Sequence, residues 1–393
     1  MAVALTPKRE RRRLGLRKLS IAPARLQSHR EKIFFSTEAG RFPKIAAPSL
    51  RSVRLDSLTH IAIGSAIGMA TMGARTPRWR AALWGSVCAT LPDLDTFIRH
   101  GDPIRDMTFH RSWSHSLLYL TLLAPLIAWL ISRIHREPGL FKRWWLLAWL
   151  ALIFHPLLDV MTIYGTQLFL PFTDYPFGIG SIFIIDPLFS LPVTIGALVA
   201  LSWRSPRALK WNAVGMAVSA AYLAWTFAAQ QYVTGIVRDS LRAQGIDVER
   251  VEVDPTALNT VLWRVTAITP NGYVEGFYSL LDHGRQIEFR AHPRGEALYA
   301  KLRGDWNVAR MAWFTHGFFK MEERDGVVTI SDLRLGMEPY YGFTFAVFEH
   351  RGGRLAALTP RRIGTTFPPD GDTRNGLPWL LRRMRGERLP PAE

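Results

Sequence analysis

The 393-residue chain has a single cysteine, Cys88. That excludes an intrachain disulfide framework and any Cys-rich zinc module, so a metal site here must use His and carboxylates. Charge is also scarce, with 21% of residues charged against 48% hydrophobic. Together with 14 Trp and 22 Phe, that balance excludes intrinsic disorder for most of the chain. Acidic counterweight is missing from the N-terminus. Residues 1–54 hold 14 Lys/Arg against Glu10, Glu31 and Glu38, a net of +11 out of +17 for the chain. The basic balance is therefore mainly a property of this arm and does not argue for a nucleic-acid-binding fold. No nucleic-acid partner is expected. The arm also lacks the apolar core of roughly 7–15 residues that a secretory signal peptide needs, and it reads as disordered. At roughly 100–200 residues per domain, the length leaves room for two or three domains.

Apolar runs occupy residues 58–73, 81–98, 116–134, 144–164, 179–203 and 211–229. Crossing roughly 30 Å of hydrocarbon takes about 20 apolar residues, a length the last four reach. Run 58–73 is short, and run 81–98 contains Pro92, Asp93 and Asp95. Both are read as tilted, re-entrant or buried behind their neighbours. A soluble bundle with buried helices is the alternative, but four such runs are unusual in a soluble domain. Trp144 and Trp145 open one run, Trp203 closes another and Trp211 opens the last, where indoles meet the headgroups. Segments 133–143 and 204–210 are basic, whereas 165–181 has no Lys or Arg. The positive-inside rule puts the two basic segments in the cytoplasm, and 165–181 and residues 232–393 outside. The arm conflicts with this scheme if both early runs span. Either one of them fails to cross or the arm is not a native part of the topology.

Beyond residue 232 the pattern changes. Segments 260–269 and 273–281 flank Pro270-Asn271-Gly272, a β-hairpin signal. Asp325-Gly326 is a second, segment 341–349 alternates like a strand, and 295–314 suits helices. The tail 371–393 is basic, ends in prolines and reads as a mobile, solvated end.

Ionisable groups within apolar runs are costly and usually mark function. They cluster in four motifs: Leu58-Thr59-His60, Leu91-Pro92-Asp93-Leu94-Asp95, His110 to Ser116 (HRSWSHS), and His155-Pro156-Leu157-Leu158-Asp159. His155 and Asp159 share a helix face. They suit a metal ion, or equally a buried His–Asp hydrogen bond between packed helices. Asp93 and Asp95, two apart, cannot face one point on a regular helix, but Pro92 and Gly101 suggest that the helix ends there. Arg111 can pair a carboxylate or bind a phosphate. Taken singly, the PDLD and HRSWSH strings also suit a helix end meeting water. The topology brings all four motifs to one depth, with up to four His and three Asp, enough for two metal ions. Thr162 and Tyr164 suit either a pocket mouth or a cap. Asp186 suits a helix N-terminus. His283, His292, His316 and His350 have no metal-like spacing.

THIAIG at 59–64, LPDLDT at 91–96, HRSWSHSLL at 110–118 and HPLLDVMTIYGTQLFLPF at 155–172 carry a resemblance. They resemble the LexA-regulated, membrane-bound metal-dependent hydrolase family of bacterial inner membranes, over roughly residues 56–203. That family is distantly similar to bacterial zinc phospholipase C and related zinc nucleases. The resemblance implies one or two divalent ions, zinc foremost. His60, Asp95, His115, His155 and Asp159 are then ligands, and Asp93 and His110 are ligands or their supports.

The expected fold is mainly α, a polytopic α-helical membrane bundle with a C-terminal α+β extramembrane domain. The expected parts are the arm 1–54, the metal-site domain 55–231, the α+β domain 232–370 and the tail 371–393. The expected activity is metal-dependent hydrolysis of a phosphoester or other ester at the membrane surface. His60, Asp95, His110, His115, His155 and Asp159 serve the metal. Asp93 takes a proton from the attacking water, and Arg111 stabilises the anionic transition state. Expected partners are membrane lipid and a small-molecule or lipid ester, and the expected place is the bacterial inner membrane. A transporter or metal-ion permease is the alternative, against which the motifs gather at one face and no inverted repeat is visible. A non-catalytic anchor for residues 232–393 is a third reading, and it leaves the His/Asp clusters unexplained.

Overall fold

The computed structural model describes residues 50–203, 205–364 and 373–389. The arm expected at 1–54 lies outside these residues except for 50–54, which open the first helix. Among the described residues seven α-helices come first: α1 (Leu50–Met72), α2 (Arg78–Thr90), α3 (Pro103–Phe109), α4 (Leu117–Ile134), α5 (Phe141–Met161), α6 (Pro187–Ser202) and α7 (Ala208–Ala243). Three helical stretches among the described residues, Leu117–Ile134, Pro138–Met161 and Ala208–Ala243, are long and apolar enough to cross a membrane. In α4 the buried stripe is Leu120, Ala124, Ala128 and Ile131, yet the outward stripe is Leu118, Leu122, Leu126 and Trp129. A helix facing water puts polar residues on its outer side; this one puts large apolar ones there.

Small residues set the closest helix crossing. A Cβ on Gly64 of α1 would lie 2.3 Å from the Gly85 carbonyl oxygen of α2, and one on Gly85 would lie 2.0 Å from that of Gly64. Only glycine lets the two backbones approach so closely, which is the packing logic of helices in lipid. The antiparallel crossing brings His60 of α1 beside the end of α2. The expected single span over 179–203 is not continuous. Residues 179–186 are not helical, and α6 starts at Pro187, where the Asp186 side chain accepts from the Leu188 and Phe189 amides. Proline fits the first helical position and aspartate satisfies the free N–H groups, so the helix starts there and not earlier.

Helix α7 passes without a break through residue 232. At 1.5 Å per residue its 36 residues reach about 54 Å. Its second half, with Val233, Ile236, Val237 and Leu241, packs on a sheet of order β1-β2-β3-β4 (Arg250–Pro255, Leu262–Thr269, Gly272–Ser279, Arg290–His292). The β2–β3 hairpin turns at Pro270-Asn271. Helices α8 (Glu296–Leu302) and α9 (Trp306–Phe314) lead to a second sheet. It contains β5 (Phe319–Arg324) and β6 (Val327–Asp332), joined at Asp325-Gly326. After the short pair β7 (Gly336–Met337) and β8 (Tyr340–Tyr341), strands β9 (Thr344–Arg351) and β10 (Arg354–Arg362) complete it in the order β10-β9-β6-β5. Both residues of the Asp325-Gly326 and Gly352-Gly353 turns have positive φ, as two-residue hairpins of this hand require.

Residues 373–389, the described part of the tail, depart from the expected mobile end. They form α10 (Thr373–Met384), in which Trp379 packs on Phe277 and Arg383 pairs with Asp282 at 2.6 Å. Its arginines include one that is buried against a carboxylate, so the helix docks instead of staying solvated. The second sheet's core includes Ile104 and Met107 of α3, and Tyr164. The β-rich part therefore rests on the segments that follow α2 and α5.

Candidate metal centre

His155 and Asp159 lie on the last turns of α5, and both are buried. His155 Nδ1 is 2.6 Å from the Ala89 carbonyl oxygen at the end of α2. A carbonyl can only accept, so Nδ1 carries the hydrogen and the neutral ring keeps its lone pair on Nε2. A tight 3₁₀ turn, Trp113–His115, delivers His115 just before α4. Ser114 Oγ donates to Asp95 Oδ2 at 2.6 Å and lies 2.8 Å from His115 Nδ1. With its hydrogen given to Asp95, Ser114 accepts from His115 Nδ1, so the His115 lone pair is also on Nε2.

These two nitrogens face each other at 3.1 Å. Asp159 Oδ2 is 3.2 Å from His115 Nε2 and 3.3 Å from His155 Nε2. Asp93 Oδ1 is 3.4 Å from His155 Nε2 and 3.6 Å from His115 Nε2. Four electron-rich atoms that close repel one another unless a metal ion or protons on the nitrogens sit among them. A regular tetrahedron with bonds of about 2.0–2.1 Å has edges of about 3.3–3.4 Å, which these five distances bracket. Asp93, His115, His155 and Asp159 thus form a group able to hold one metal ion.

The other expected site residues stand around this group. Asp93, which the resemblance left as a ligand or a support, joins it, and Asp95, which the resemblance made a ligand, stands outside it. Both lie on the 3₁₀ helix Pro92–Phe97, whose tight winding turns the two carboxylates to different neighbours. Asp95 accepts from His110 Nδ1 at 2.8 Å, from the Arg111 amide at 3.1 Å and from Ser114. It orients His115 through Ser114 and holds His110 at the edge. The His60 ring packs against that of His155, tilted by 33° with centroids 3.9 Å apart, and its Nε2 is 3.5 Å from Asp159 Oδ1.

Arg111 also meets Asp159 Oδ1, through Nη2 at 3.1 Å. Its guanidinium lies over the Tyr164 ring at 5.1 Å and donates to Thr162 Oγ1 at 3.3 Å. Its backbone adopts φ 61°, a left-handed conformation rare outside glycine and typical of functional sites. A second cation bridged by Asp159 would compete with this guanidinium for the same oxygen, so the geometry fits one ion and one arginine. Ser114, the Ala89 carbonyl and Tyr164 complete the support. Sequence reasoning singled out neither Ser114 nor Ala89 as a support. The only signal for Ser114 is its place beside His115, and Ala89 contributes a backbone atom that no motif marks.

Fold and site together define a helical protein with apolar outer faces and a candidate metal centre, capped by a β-rich domain at the site end. Residues 55–233 match a family described as "YdjM inner membrane protein". That description and the three apolar helices support membrane association. The chain is 23% identical over 281 residues to "Uncharacterized protein YfhP" of Bacillus subtilis (strain 168), covering 66% of this chain and 80% of that protein. No solved structure matches the chain. None of these matches bears on the distant likeness to zinc phospholipase C.

Proposed function

We propose that this chain is a multi-pass inner-membrane hydrolase of phosphoesters or other esters that uses one divalent ion, zinc foremost. The observation that carries the reading is the meeting of two imidazole lone pairs and two carboxylate oxygens at 3.1–3.6 Å, beside a buried arginine. The His115 and His155 nitrogens and the Asp93 and Asp159 oxygens would suit zinc, which can accept a fifth donor and so still take up water. An ion bound there supplies charge that acidifies water and polarises an ester.

The chain's own residues do the rest. Asp93 faces the donor group through Oδ1 and is the member of the four whose side chain is appreciably exposed, at 18%, so its other oxygen, Oδ2, takes the proton of the attacking water. His110, held through Nδ1 by Asp95, gives a proton to the leaving oxygen. Arg111 stabilises the negative charge that develops on the ester. His60 packs against His155 and keeps the Asp159 side oriented. The charge alternation of segments 133–143, 165–181 and 204–210 supports placing the site end and the β-rich domain outside the cytoplasm.

Zinc-loaded full-length protein in detergent should cleave a chromogenic phosphoester. Chelation should abolish the activity, and Arg111→Ala should lower kcat by about 10²-fold or more with the metal retained. Transport of metal into liposomes without cleavage of any ester would contradict the reading and favour a permease.

A further inference from the structure

A cavity in the β-rich domain shares no lining residue with the His/Asp centre. Its volume is about 240 Å³, and it opens between β3, β4 and the segment that carries α10. That is below the roughly 300–1,000 Å³ of drug-sized ligand sites and far above what one water needs. It suits a small metabolite. Glu275 and Phe277 of β3, Arg290 of β4, Arg383 of α10, and Arg388 and Leu389 beyond it line the space.

The charged groups of this cavity are unequally engaged. Glu275 and Arg290 stand directly opposite each other in the β3–β4 ladder, so their side chains share one face of the sheet. Glu275 is 2% exposed, and its Oε1 accepts from Arg264 Nε at 2.7 Å. Among the described residues its Oε2 has no hydrogen-bond partner. A buried carboxylate oxygen without a donor is costly and rare. Arg290 is exposed and forms no ion pair among the described residues. Arg388 meets Glu288 at 3.4 Å, with side chains 58% and 83% exposed, a pair that stabilises little. Arg383 is different. It donates to both oxygens of Asp282 at 2.6 and 2.7 Å and to the Phe277 carbonyl at 2.7 Å. Its charge is therefore spent on holding α10 against the sheet, and it forms wall.

The cavity thus offers one buried acceptor and two loosely engaged guanidiniums, with Phe277 and Leu389 as apolar wall. We infer that it is a binding site for a small amino acid with a second anionic group, a carboxylate or a phosphate. The ligand's ammonium donates to Glu275 Oε2, and its two anionic groups accept from Arg290 and Arg388. One carboxylate and two guanidiniums on the protein match one ammonium and two anions on the ligand. Such a ligand touches β4 on one side and the residues after α10 on the other, so it ties the C-terminal helix to the first sheet. The site does not depend on the hydrolase reading.

The test is a calorimetric titration of full-length protein in detergent with L-glutamate and O-phospho-L-serine. Glutarate, which keeps two carboxylates and lacks the ammonium, is the comparison. The two amino acids distinguish a carboxylate from a phosphate as the second anionic group. At least one of them should bind at about one per chain, and at least about tenfold tighter than glutarate, the scale of one lost hydrogen bond to a charged group. Arg290→Gln should weaken that binding at least about tenfold with thermal stability unchanged, since the side chain is exposed. Glu275→Gln should bind glutarate and the amino acid equally. Arg290→Gln carries the test if the Glu275 variant, which leaves Arg264 less well paired, fails to fold. No saturable binding of either amino acid, glutarate bound as tightly, or unchanged affinity in Arg290→Gln would overturn the site. A cavity filled by water alone gives the first of these results.

Discussion

Two aspartates of one short turn behave differently because of where a 3₁₀ helix points them. Asp93 meets the His115 and His155 nitrogens, and Asp95 meets Ser114, His110 and the Arg111 amide. The residue types were legible in the sequence, because buried carboxylates and imidazoles in apolar runs stand out. Their division of labour was not, since it depends on the local winding after Pro92. The His155–Asp159 pair was readable from helix spacing alone. The relay from Asp95 through Ser114 to His115 was not, because it joins the end of one segment to the start of another. If His110 acts on the leaving oxygen and not on the ion, His110→Gln should keep the zinc. Its kcat should fall by about 10²-fold, the usual scale for losing a general acid. Loss of zinc in that variant, measured by elemental analysis, would make His110 a ligand instead.

Helices α1 and α2 looked too short or too broken in sequence to be simple spans. The structure supplies a reason for their composition. Gly64, Gly68 and Gly85 let the two backbones touch, with a Cβ on Gly68 only 2.1 Å from the Ala81 carbonyl oxygen. That crossing carries His60 and the Ala89 carbonyl to the centre, so packing and function share one interface. Gly85→Leu should push the helices apart at a cost of about 1–3 kcal/mol or more. Reduced thermal stability together with lower metal occupancy is the expected result. Unchanged stability and occupancy would show that the crossing is not what positions the site. Other elements were legible to different degrees. The hairpins at Pro270-Asn271 and Asp325-Gly326 were visible from turn residues. The β9–β10 hairpin at Gly352-Gly353 went unread, although two glycines after an alternating run are a hairpin signal. Docking of α10 was hidden because its anchor, Asp282, lies 101 residues away from Arg383.

At the scale of the molecule, α7 joins the apolar bundle to the β-rich domain as one rod. It packs on the bundle through Asn212, which donates to the Ala66 carbonyl at 2.9 Å, and on the first sheet through Val233 and Ile236. The division of the chain into an apolar half and a mixed half was plain from hydropathy. The continuity between them was not, because residue 232 marks a change in composition and not a change in helix. A reporter fused after Ser240, within the last turns of α7, should report from outside the cytoplasm if the charge alternation orients the bundle. A cytoplasmic signal would invert the proposed topology and move the site end to the inner face. The central claim concerns four residues from three separate segments meeting around one ion. Metal analysis of purified full-length protein, with Asp93, His115, His155 and Asp159 replaced singly by Ala, tests it most directly. The account predicts about one zinc per chain and less than about a tenth of that in each variant, because each loss removes one of four donors. Two ions per chain, none, or full occupancy in the His155→Ala protein would contradict it.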